Sequence, residues 1–204
     1  MSLFNDDIKK EAILAKFLDQ QYQKNNLKIN RISDKESQFK GIDLIIEGKE
    51  DIKYKVDEKA QLHYLNKNLP TFALEISYFK DSILKQGWLF DPSKETELYA
   101  FVFSIHLVNN ETEMKDENDV ESCEVIFVNR SKLINKLAEL ELSFDKCNSI
   151  SNEIRSNGSL SKLEHLPSGF NFQISDHLSE KPINLIVKKR FLKSIGKSFL
   201  FKRS

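Results

Sequence analysis

In the stretch "GIDLIIEGKEDIKYKVDEKAQ", residues 41–61, Asp43 and Asp57 are separated by 13 residues, and Lys59 and Gln61 follow Asp57 at alternate positions. An aspartate among apolar strand residues is costly unless something pairs with it or uses it. Two carboxylates brought together repel each other unless a cation lies between them. Oxygen ligands of this kind suit Mg²⁺ or Mn²⁺, which keep several waters and are often completed by substrate phosphate. The backbone carbonyl of Glu58 would add a further oxygen. An ion held there would lower the pKa of a bound water and neutralise charge on a phosphate. The Lys59 ammonium would orient that water or stabilise developing charge.

The elements that must position these groups are two strands. Residues 41–47 and 52–61 have strand-like patterning, and "GKED" between them supplies turn residues for a hairpin. Alternation puts Asp57, Lys59 and Gln61 on one face of the second strand and Val56, Glu58 and Ala60 on the other. Antiparallel pairing would let Asp43 approach Asp57. A simpler reading also stands: "KYKVDEK" alternates charges as an exposed strand would, which contributes little to stability. Ahead of the strands, residues 6–24 predict a helix, with Ile8, Ala12, Ala15, Leu18 and Tyr22 as its apolar stripe.

The arrangement of Asp43 followed by Asp57-Glu58-Lys59 resembles the signature of the PD-(D/E)xK nuclease superfamily, the restriction-endonuclease-like fold. The resemblance covers roughly residues 8–108. It implies an α/β (α+β) domain with a mixed central sheet flanked by helices. It also implies a Mg²⁺- or Mn²⁺-dependent hydrolase that cleaves phosphodiester bonds in nucleic acid, DNA first, in a defence, repair or mobile-element setting. Members often carry a glutamate on the leading helix that reaches the metal, and Glu11 matches by location. Some continue the motif with a glutamine two residues past the lysine, as Gln61 does. The implied metal ligands are therefore Glu11, Asp43, Asp57 and Glu58. The implied catalytic residues are Asp43, Asp57, Lys59 and Gln61. Ile42 stands where the signature has its proline. The alternative is a catalytically inactive interaction or binding protein on the same scaffold.

The rest of the chain narrows the setting. With 204 residues, 40% hydrophobic and 30% charged, a packed core is expected. The 31 basic and 31 acidic residues balance, so charge alone does not point to nucleic acid. They are unevenly spread: residues 111–124 are acidic, while "KKRFLKSIGKSFLFKR", residues 188–203, holds seven Lys or Arg and no acid. That tail could contact phosphates, form an amphipathic helix or bind a partner. Two cysteines without CxxC spacing argue against a zinc ribbon or disulfide scaffold. No P-loop, G-x-G-x-x-G, G-x-S-x-G or paired-histidine motif is present. No signal pattern or membrane-length apolar run occurs, so a cytoplasmic protein is expected. Strands are predicted at 71–79, 97–108 and 123–130, and a helix at 131–141 with Ser131 as its cap. Glu75, inside the first of these strands, is a further candidate acid. Residues 1–145 read as a nuclease-like core in one mixed sheet. Residues 146–204 read as an extension packed on the same domain. The oligomeric state is left open, a dimer included.

Overall fold

Leu14, Phe17, Leu18 and Tyr22 recur three and four residues apart and are all buried, which makes helix α1 (Leu3–Lys24) an amphipathic one. This stripe is rotated from the expected one. Ile8 is exposed, and the larger Leu14 and Phe17 take the core in place of Ala12 and Ala15. Residues 3–48, 51–157 and 166–203 are described by the computed structural model. Lys49 and Glu50 of the expected turn lie outside them.

The protein is α+β, with five helices and ten strands among the described residues. The chain divides into two compact units. The first comprises Met1–Leu69, Glu95–Asn129 and Gly196–Ser204, and the second Pro70–Lys94 and Arg130–Ile195.

The first unit is built on a six-stranded sheet. Strands β1 (Lys28–Arg31), β2 (Leu44–Glu47), β3 (Lys53–Ala60), β6 (Leu98–Leu107), β7 (Val120–Asn129) and β10 (Lys197–Lys202) lie in the order β1-β2-β3-β6-β7-β10. Pairing is antiparallel except between β3 and β6. Strand β6 has Tyr99 through Phe103 fully buried, the pattern of a central strand covered on both faces. The core against α1 gathers Leu44, Ile46, Val56, Ala100, Val102, Val125 and Phe201. Residues 25–40 contain β1 and a short helix α2 (Lys35–Phe39) capped by the Asp34 carboxylate on the Ser37 amide.

The second unit carries a four-stranded antiparallel sheet. Its strands are β4 (Thr71–Lys80), β5 (Ile83–Gln86), β8 (Phe170–Ile174) and β9 (Ile183–Lys188), in the order β5-β4-β9-β8. Helices α3 (Arg130–Glu139), α4 (Phe144–Asn157) and α5 (Lys189–Ile195) complete it. Three expectations change here. The strand at 71–80 belongs to this second sheet, so the chain forms two sheets rather than one. Ser131 lies inside α3 instead of capping it. The basic tail divides into α5, which buries Leu192 and Ile195, and β10, which returns Phe201 to the core of the first unit.

Candidate metal and catalytic site

Strand β2 starts one residue after Asp43, and the register explains why. Leu44 pairs with Val56, so one step outward sets Asp43 opposite Asp57. The Asp43 amide donates to Val56 O at 2.8 Å. Its carboxylate Oδ2 accepts from the Glu58 amide at 2.7 Å. The acid thus takes the place of a backbone carbonyl as the partner of that amide, and regular pairing ends. Gly41, at φ 73°, turns the chain into this position with a backbone that a side chain would strain. Thr96 Oγ1 fixes the turn by donating to Gly41 O at 2.7 Å.

Asp57 is 2% exposed, so the reading of a solvated charge pattern does not hold for it. Its Oδ1 accepts from Lys59 Nζ at 2.7 Å. Its Oδ2 is buried with no donor against it among the described residues. The Asp43 carboxyl is the second acid whose charge acts on Asp57. Burial pushes the Asp57 pKa up to about 7; Lys59 works against the rise and Asp43 adds to it. Burial alone would lower the Lys59 pKa, but Asp57, then Asp43 and Tyr99, outweigh it and the net direction is up. Lys59 is therefore an ammonium group locked to one acid and felt by the other.

Glu11 lies three residues before Leu14 on α1 and is itself exposed. Partial burial raises its pKa, Lys59 opposes this, and Asp43 and Asp7 add to it. Its carboxylate therefore senses the same charges. Gln61 follows β3 directly; its amide donates to Val102 O at 3.2 Å, which carries the pairing with β6 one step further. Glu75 lies on β4, in the second unit.

The Glu58 side chain does not join this group. It points to the α1 face of β3, where Tyr22 Oη donates to its Oε1 at 2.8 Å and Arg31 Nη1 donates to its Oε2. Arg31 Nη2 also donates to Asp19 Oδ1 on α1 and, at 3.4 Å, to Ala15 O. Burial raises the Glu58 pKa while Arg31 and Tyr22 hold it down. Burial likewise works against the Arg31 charge, and Glu58 and Asp19 more than restore it. Tyr22 and Arg31 were not expected in the site. The available signal was an acid on the same strand face as Val56 and Ala60, which calls for a cation, and Arg31 is the only arginine before Arg130.

Among the described residues, no three His, Cys, Asp or Glu side chains converge as ligands for one ion. The arrangement is a pair of acids, an ammonium group and a nearby third acid. The Asp57 Oδ2, which has no donor among the described residues, and the Asp43 carboxyl whose charge acts on it fit a divalent cation that takes two protein oxygens and completes its shell with water or phosphate. Comparisons with protein-family models, with curated proteins and with solved structures gave no match. No helix among the described residues is long and apolar enough to cross a membrane.

Proposed function

We propose that this protein is a metal-dependent nuclease of the PD-(D/E)xK type that hydrolyses phosphodiester bonds in nucleic acid, DNA first. The observation that carries the reading is the Asp43–Asp57 pair with Lys59 beside it. A buried acid with one oxygen facing no donor is a costly arrangement for a purely structural residue. Asp43 and Asp57 would hold Mg²⁺ or Mn²⁺, with Glu11 and the Glu58 carbonyl as additional oxygens. When bound, such an ion supplies charge neutralisation on the phosphate and a more acidic water.

The chain's own residues do the rest. The Glu58 amide keeps Asp43 aimed. Lys59, fixed on Asp57 Oδ1, would place its positive charge beside a phosphate oxygen or an attacking water. Gln61, next on that face by alternation, would orient the same water.

The test is Mn²⁺ titration followed by thermal unfolding, with plasmid nicking alongside. Wild type should gain about 2.7 kcal/mol at a hundredfold excess over Kd. Asp57→Asn should lose the gain, and Lys59→Ala should abolish nicking. A gain that survives Asp57→Asn rules out these ligands. A second reading, an inactive binding protein on this scaffold, is favoured by the absence of a third converging acid among the described residues and by the zero net charge. It predicts neither gain nor nicking in the wild type.

A further inference from the structure

We propose that Arg31 is a positioning residue for this site, acting through Glu58 to aim the backbone amide that holds Asp43. The inference rests on the nuclease reading for its purpose and on the geometry for its mechanism. Glu58 has two roles on opposite sides of β3. Its amide donates to Asp43 Oδ2 at 2.7 Å. Its carboxylate is held on the α1 side by Arg31 and by Tyr22 Oη at 2.8 Å. Fixing the side chain fixes the orientation of the residue, and so the direction of the amide.

Arg31 reaches three elements at once. It ends β1, where it pairs with Leu44, the residue next to Asp43. It binds Glu58 on β3, between Asp57 and Lys59. It also binds Asp19 and Ala15 O on α1, the helix that carries Glu11. A guanidinium suits this work because its planar fork directs several donors at fixed angles, which a lysine cannot reproduce. Groups that orient metal-ligating side chains in this way typically change metal affinity 10–100-fold when removed.

A merely structural ion pair would predict something different. Removing one partner would destabilise the protein, and neutralising both would restore stability and function together. The test therefore compares Arg31→Met, Arg31→Lys and the double variant Arg31→Met/Glu58→Gln. Three quantities are measured: thermal midpoint, Mn²⁺ affinity, and exchange protection of the Glu58 amide by NMR without metal.

Arg31→Met should melt lowest, and the double variant should recover most of that loss. Both should still lose protection at the Glu58 amide and bind Mn²⁺ at least tenfold more weakly. Arg31→Lys should rescue only in part. A double variant that keeps the amide protected and binds Mn²⁺ within about twofold of wild type overturns the proposal. If the wild type takes up no Mn²⁺, the nuclease reading fails, and the amide measurement alone decides whether Arg31 positions Asp43.

Discussion

Asp57 sits where water barely reaches, at 2% exposure, and the Asp43 carboxyl adds to the rise in its pKa. An unfolded chain releases this proton near pH 4, whereas the folded protein holds it to about 7. Across that window the folded state binds more protons than the unfolded one, so stability falls as pH rises and levels off above it. The loss is on the order of a few kcal/mol for a shift of this size. Asparagine at position 57 carries no titrating group. In EDTA, urea unfolding should show Asp57→Asn gaining on the wild type by a few kcal/mol between pH 4.5 and 7.5. A constant difference over that range would contradict a proton held by this pair. On the proposed metal-site reading, added Mn²⁺ should stabilise the wild type more at pH 8 than at pH 5, because cation and proton would compete for the same oxygens.

At the scale of elements, the lone glycine–tryptophan step at 87–88 shows how backbone alone can dictate a residue. A Cβ on Gly87 would lie 2.3 Å from Glu75 O and 2.7 Å from the Ile76 carbonyl carbon, both main-chain atoms. The Gly87 amide donates to Ile76 O at 2.7 Å, at the point where the β4–β9 register shifts between Glu75 and Ser77. Gly87→Ala should cost about 3 kcal/mol in chemical denaturation, at the upper end for overpacking. A loss below about 0.5 kcal/mol would mean that β4 yields easily. Nothing in a one-dimensional pattern shows that approach, and the same limit explains what else sequence could not show. The long strands β3, β4, β6 and β7 and helix α1 were legible because periodicity runs for eight residues or more. Strands β1 and β5, of four residues each, and helix α2, of five, are too short to establish a period. Strand β10, of six residues, is bounded by Lys at both ends and reads equally as a basic tail. Asp43, Asp57 and Lys59 were legible because hairpin alternation places them on one face. Arg31 was not, because it lies in a polar stretch whose strand forms only by pairing with β2.

At the scale of the whole molecule, the chain passes between the two units four times, after Leu69, Lys94, Asn129 and Ile195. Neither unit is continuous in sequence, so a boundary near residue 145 does not isolate a folded piece. A fragment of residues 1–145 would lose β10, which pairs with β7 from Lys197 to Lys202. It would leave β4 without β9 and remove α4 from the second unit. The loss of β10 reaches the site as well. Phe201, 1% exposed, packs edge-on against Tyr22 with ring centroids 5.6 Å apart, and Tyr22 donates to Glu58. Truncating a buried aromatic costs about 3–5 kcal/mol by itself, a large share of the roughly 5–15 kcal/mol that holds a domain together. Residues 1–145, expressed alone, should therefore show no cooperative thermal transition. Residues 1–195, which lack only β10 and its flanking ends, should melt well below the full chain and bind Mn²⁺ more weakly. Differential scanning calorimetry and metal titration on the two truncations decide the matter. A 1–145 fragment that melts cooperatively within a few degrees of the full chain would show that the strands after position 145 are dispensable to the site.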